Sequence, residues 1–256
     1  MPLNILCCVK RVPMTGGRIV LTADEQAIET RHLGFTISPH EECGVEEAVR
    51  LIEANGGSST VLTLGPAEAE EQLRDAMALG VDRAIHLVTD EEFDGQATAR
   101  AILDAIAAER EAGTEYDIVF FGNESADAGN YQVGIRVAHA LGRPCVTGVK
   151  AIALEDRSLR CEQEVPGGRD VYRVPLPAVV TVKEGLNLPR YPSVPGRLRA
   201  KKKPLEARMP ERGAQGVEKV RLVVPVDEGA QTDVLGRGAD AAPAVVELLD
   251  RIGVLS

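Results

Sequence analysis

Residues 116–142, YDIVFFGNESADAGNYQVGIRVAHALG, constrain this chain more than any other stretch. The run 117–121 is bounded by Tyr116 and Gly122 and is too short for a helix, so it reads as a buried strand of a parallel sheet. Downstream, Tyr131, Val133, Ile135, Val137, Ala138 and Leu141 have the spacing of a helix's buried stripe, which Gly142 stops. Between them lies a loop of small and polar residues: Asn123, Ser125, Asp127, Gly129 and Asn130. A strand end, a small-residue loop and a helix start offer free backbone N–H groups where a phosphate can sit. Open α/β sheets bind ligands at the carboxyl ends of their strands, where this loop falls. The same residues also suit an ordinary strand–helix turn with Ser125 or Asp127 as N-cap, since neither a Walker loop nor GxGxxG is present.

The rest of the chain repeats this strand–helix grammar. Residues 4–10, 60–64 and 84–88 read as core strands, and 42–55, 68–79 and 96–111 as helices. Ser38-Pro39-His40-Glu41-Glu42 is a helix entrance with proline in the first turn. Such alternation implies right-handed βαβ units in an α/β, doubly wound, mostly parallel sheet. With aromatics at 3% and no Trp, the core must be aliphatic. After Gly142 the pattern becomes a β-hairpin (145–154, 160–165, 171–174) added to the sheet, followed by one more buried strand, 177–183.

Periodicity ends at Glu184. Residues 185–210 hold prolines at 189, 192, 195, 204 and 210, a basic run over 197–203 and no apolar period, and read as an exposed loop and arm. Further on, 220–226 reads as a strand and 244–252 as a short amphipathic helix. This last part is too thin to hold its own core and needs something else to pack on, a partner chain being the natural candidate. The expected division is a nucleotide-binding domain over 1–184, an exposed recognition loop over 185–204 and a C-terminal arm over 205–256.

Several function classes are disfavoured. A net charge of −10 argues against general nucleic-acid binding. No run approaches the roughly 20 apolar residues of a membrane span, so no membrane insertion is expected. Five cysteines without CxxC spacing suit free thiols better than a zinc site. The start MPLNILCCVKRV lacks the pattern of a signal peptide, so the expected location is cytoplasmic, or the mitochondrial matrix if the source is eukaryotic. The four histidines are scattered, and no Ser/His/Asp or paired-carboxylate constellation stands out.

Three blocks carry a family resemblance: LCCVKRVP with the later SPHEECGVEEAVRL, then GNESADAGNYQVG, then LPAVVTVKEGLNLPRYPSVPGRLRAKKKP. Together, and in this order, they resemble the beta subunit of electron transfer flavoproteins over essentially the whole chain. The resemblance implies a Rossmann-like fold related to adenine-nucleotide hydrolases. It also implies a heterodimer with an electron transfer flavoprotein alpha subunit that holds most of an FAD, and a structural AMP in this subunit. Carried over by position, the nucleotide contacts are Cys8, Ser38, Pro39, His40, Glu41, Leu64, Gly122, Asn123, Glu124, Ser125, Ala126, Asp127, Ala128, Gly129, Asn130, Tyr131, Gln132 and Val133. The implied role is electron carrier rather than enzyme, with no catalytic residues of its own and no metal. Electrons would pass from flavin dehydrogenases, of acyl-CoA or methylamine type, towards a quinone reductase.

The resemblance also makes 184–203 a loop that docks on dehydrogenases, with Val194 as apolar anchor beside Pro195 and with Arg197 and Arg199 steering towards an acidic surface. The bland reading of the same segment is a solvated basic loop. The chain departs from the family pattern at Ala128-Gly129, at Ser38 and at Thr15, where the family has a run of aspartates, an asparagine and an aromatic near the flavin. Two other readings remain open: an electron-bifurcating relative with a second FAD in place of AMP, and an adenine-nucleotide hydrolase or ligase.

Overall fold

The computed structural model describes residues 2–16, 19–225 and 233–255. Among these, nine strands form one sheet in the order β11-β5-β4-β1-β6-β10-β7-β8-β9. In chain order the strands are β1 (Leu3–Val9), β2 (Val12–Pro13), β3 (Phe35–Thr36), β4 (Gly57–Gly65), β5 (Arg83–Val88), β6 (Ile118–Gly122), β7 (Cys145–Glu155), β8 (Ser158–Val165), β9 (Gly168–Pro175), β10 (Ala178–Val182) and β11 (Leu205–Arg208). The helices are α1 (Pro39–Asn55), α2 (Glu70–Leu79), α3 (Gly95–Glu111), α4 (Val133–Leu141), α5 (Val194–Ala200) and α6 (Ala242–Arg251). Every pairing from β11 across to β7 is parallel, and β8 and β9 extend the sheet as an antiparallel meander. A separate short ribbon pairs β2 with β3. The expected Rossmann-like, doubly wound sheet with an added hairpin is thus the observed architecture.

Strand β1 shows why its sequence is apolar at nearly every position. Leu3, Ile5, Cys7 and Val9 point into one core with α1 and α2, while Leu6 and Cys8 point into a second core with α3 and α4. A strand covered on both faces has no solvent side to mark with polar residues. The chain passes from β1 through β4 to β5 on one side, then crosses to β6 and β10 on the other. The winding reverses beside β1, so the carboxyl ends of β1 and β6 flank the crevice that open α/β sheets use for ligands.

The segment expected to be irregular over 185–210 contains regular structure at two places. Ser193 caps α5, its hydroxyl accepting from the Gly196 N–H at 3.1 Å, and Pro195 suits the first turn. Helices α2 and α5 cap each other's carboxyl ends. The Lys203 ammonium donates to the carbonyls of Met77 (3.0 Å), Gly80 (3.2 Å) and Val81 (2.6 Å), and Arg74 donates to those of Ala200 and Lys203, both at 2.9 Å. A Cβ on Gly196 would lie 2.5 Å from the Ala78 carbonyl oxygen, so only glycine permits this approach. Strand β11 then pairs with β5 at the sheet edge.

The strand expected over 220–226 does not form over 220–225, and Val226 lies outside the described residues. The run lies beside no described strand; its backbone contact is Leu222 N–H to the Glu25 carbonyl at 2.8 Å. The last helix, α6, buries none of its residues, and Val246 on it is 55% exposed.

Candidate functional site

The crevice is built from the start of α1. Ser38 and Glu41 form a capping box: the Ser38 hydroxyl accepts from the Glu41 N–H at 3.2 Å, and the Glu41 carboxylate accepts from the Ser38 N–H at 2.9 Å. The other carboxylate oxygen of Glu41 accepts from the Lys10 N–H at 3.0 Å, tying the helix start to the end of β1. Burial pushes the Glu41 carboxyl up to about 8, against the pull of these N–H donors and of the Lys10 charge. Glu41 is therefore a buried floor beneath the site.

The loop after β6 forms the opposite wall. Asn123 is oriented from below: the Gly148 N–H donates to the Thr181 hydroxyl at 3.1 Å, which donates to Asn123 Oδ1 at 2.9 Å. Glu124 accepts from His40 Nε2 at 3.1 Å, with the Tyr131 hydroxyl nearby. Burial opposes its ionisation, but Tyr131 and His40 outweigh that and hold its carboxyl below the ordinary range. Asp127 pairs with Lys10 Nζ at 2.6 Å; burial again opposes, and the ammonium wins, so Asp127 also stays ionised below the usual carboxylate range. The negative charge of Asp127, which would otherwise repel a phosphate, is thus neutralised by Lys10.

Gly129 and Tyr131 both take left-handed backbone (φ 55° each) as the loop turns into α4. That helix starts only at Val133, with Gln132 at the N-cap position and no side-chain cap bond. The expectation of Ser125 or Asp127 as its cap is corrected, because a long loop separates both from the first turn. Tyr131, expected on the buried stripe, precedes the helix and is 56% exposed.

These walls enclose a cleft of about 360 Å³, lined by residues 38–40, 124–129, Tyr131 and Glu184. Small-molecule sites begin near this size. Of the remaining positions marked by sequence, Cys8 lies beside Phe121 in the β1–β6 register, with its buried thiol pushed up by desolvation and by Cys7 and Glu41. Gly122 is held against Glu41, where a Cβ would meet Cγ at 2.8 Å. Leu64 is the penultimate residue of β4, beyond β1 from the cleft. Asn130, Gln132 and Val133 carry the chain from the loop into α4, and the Gln132 side chain accepts from Arg136 at 2.8 Å. Glu184 was missed; the signal was its place at the end of β10, two strands from β1 in the same sheet.

The segment after Glu184 is pinned at its base and bare at its tip. Arg190 forks between Glu46 (2.9 Å) and Glu53 (2.7 Å), and Asn187 donates to the Cys43 carbonyl and to Glu47, both at 3.0 Å. Glu46 and Glu47 read in sequence as parts of a helix face, yet both are buried under this segment. Leu188 (91% exposed), Tyr191 (97%) and Val194 (73%) project outward. Arg197 is paired with Asp75 at 2.7 Å, so it is less available for steering than the sequence suggests, and Arg199 lines a second cleft under Tyr191. Among the described residues, no cluster of His, Cys, Asp and Glu could hold a metal ion.

Comparison with known proteins identifies the family. The family model described as "Electron transfer flavoprotein domain" matches residues 27–211. The chain is 34% identical to the electron transfer flavoprotein subunit beta of Bacillus subtilis (strain 168), covering 80% of this chain and 78% of that protein. It is 32% identical to the protein so named in Bradyrhizobium diazoefficiens, covering 99% of this chain and all of its relative. It is 34% identical to the one in Homo sapiens, covering 84% of each. A mostly parallel, doubly wound sheet, a family model matched over most of the chain and relatives matched over most of their length lead to one conclusion: this chain belongs to the electron transfer flavoprotein family, among its beta subunits.

Proposed function

We propose that this chain is the beta subunit of a heterodimeric electron carrier, holding one AMP in the 38–40/124–131 cleft while an alpha subunit holds most of an FAD. The observation that carries the nucleotide reading is the cleft itself. It lies at the switch point of the sheet, two of its acids, Asp127 and Glu124, are matched by Lys10 and His40, and its wall is made of Ser125, Ala126, Ala128 and Gly129, which let a ligand approach backbone. Its volume of about 360 Å³ falls within the range of small-molecule sites. The unburied helix α6 and the exposed valines at 217, 220, 223 and 224 supply apolar surface for the alpha subunit to cover.

The bound flavin would supply the redox chemistry, and this chain would supply binding and orientation. Electrons would come from a flavin dehydrogenase of acyl-CoA or methylamine type and leave to a quinone reductase. The location proposed is the cytoplasm, or the mitochondrial matrix in a eukaryote; among the described residues no helix is long and apolar enough to cross a membrane. In the docking segment Val194, Leu188 and Tyr191 are the anchors, on a base that Arg190 keeps rigid.

Truncating Val194 to alanine tests the docking role. Its two lost methyl groups are worth about 0.8 kcal/mol each if buried by a partner. Reduction of the complex by its dehydrogenase should therefore slow by the order of tenfold, with FAD and AMP content unchanged. Unaltered rates would remove the docking role, and loss of flavin would make the segment structural.

A further inference from the structure

We infer that His40 is a positioning residue that ties the nucleotide cleft to the first residue of the docking segment, and that it does so only as a neutral imidazole. The inference rests on the reading of residues 184–203 as that segment. His40 touches both sides: Nε2 faces Glu124 at 3.1 Å, and Nδ1 accepts the backbone N–H of Glu184 at 2.7 Å, across 144 positions of sequence. Because Nδ1 is the acceptor, the ring's proton must be on Nε2, where it donates to Glu124. Through Glu124 the link continues to Asn123, Thr181 and Gly148. The same histidine therefore contacts the cleft wall and the peptide from which the pinned segment starts.

A second proton on the ring would sit on Nδ1 and set two N–H groups face to face. The charges around His40 determine where the imidazolium would turn. The loop after β6 presents Glu124, with Asp127 already neutralised by Lys10. The turn after β10 presents Glu184, preceded by Lys183, whose side chain comes near Gly148. Helix α1 presents Glu42, which senses the Glu184 charge, and Glu41, buried below and engaged by Ser38 and Lys10. Carboxylates thus replace the backbone amide as partners of the protonated ring. The Glu124 contact survives as an ion pair, and the Glu184 amide is released.

The test reads hydrogen exchange at the Glu184 amide by NMR in the full chain, with neither nucleotide nor docking partner needed. Between about pH 8 and about pH 5.5, protection corrected for intrinsic exchange should fall about tenfold. His40→Asn, whose Oδ1 stands where Nδ1 does but cannot titrate, should keep the amide protected at both values. His40→Gln, reaching towards Glu124 instead, should leave it unprotected at both. Equal protection of the unaltered chain across the range, or His40→Gln protected like the unaltered chain, would overturn the inference. The first of these needs no variant to fold. Calorimetry with AMP on the same samples judges the nucleotide reading separately, since absence of AMP binding would remove that reading and leave the exchange result intact.

Discussion

Replacing Glu109 by alanine is expected to lower the unfolding free energy by about 3–5 kcal/mol, the cost of removing one partner from a buried ion pair. Glu109, at the end of α3, is 3% exposed and accepts from Arg83 on β5, from Arg208 on β11 and from the Tyr116 hydroxyl. With the carboxylate gone, two guanidinium groups that are themselves less than a third exposed lose a shared counter-charge. Strand β11 buries little apolar surface beyond Leu205, so this cluster adds substantially to its backbone pairing with β5 in holding it to the sheet. Denaturant unfolding should show the loss, and hydrogen exchange should show it concentrated at residues 205–208. A stability change within about 0.5 kcal/mol, the range of an ordinary surface substitution, would contradict this account of the edge.

Gly122→Ala should have the second large effect, on the site itself. The added Cβ would lie 2.8 Å from Glu41 Cγ and 3.3 Å from the Glu124 carbonyl oxygen. Glu41 cannot swing away, because both carboxylate oxygens are held by backbone N–H groups. The loop over 123–131 must therefore move. Affinity for AMP should fall at least tenfold, or about 1.4 kcal/mol, with a stability cost of about 1–3 kcal/mol from overpacking. Titration calorimetry and thermal unfolding read the two quantities on the same preparation. Undiminished affinity would mean that AMP does not depend on this loop.

What could be read in the sequence was whatever a single element decides for itself. Strands β1, β4, β6 and β10 are apolar because both faces are covered, and Gly80 and Gly142 stop helices, so these elements and the doubly wound sheet were legible. Helix α5 carried a start signal in Ser193 and Pro195, but its shortness and Gly196 concealed it. Strand β11, Leu-Glu-Ala-Arg, is too short and too polar to stand out, since ion pairs and edge pairing with β5 supplement the one core contact of Leu205. The run 220–225 has strand composition and remains irregular, with no described strand alongside to receive its hydrogen bonds.

At the site, the loop's position after β6 and the Ser38 entrance were legible from strand ends and capping rules. The cap of α4 was not, since its loop is longer than a capping pattern can reveal. Nor could the sequence show which charges meet. Lys10 with Asp127, His40 with Glu124 and Glu184, and Arg190 with Glu46 join residues from different elements, brought together only by the winding of the sheet.

The central claim is that the crevice between β1 and β6 holds an adenine mononucleotide, making this subunit a scaffold for a flavin bound mainly by its partner. Co-purification with the alpha subunit, denaturation, and identification of released nucleotides by chromatography and mass spectrometry tests it most directly. One AMP for each beta subunit and one FAD for each heterodimer is the predicted result. Two FAD without AMP, or FAD alone, would contradict it.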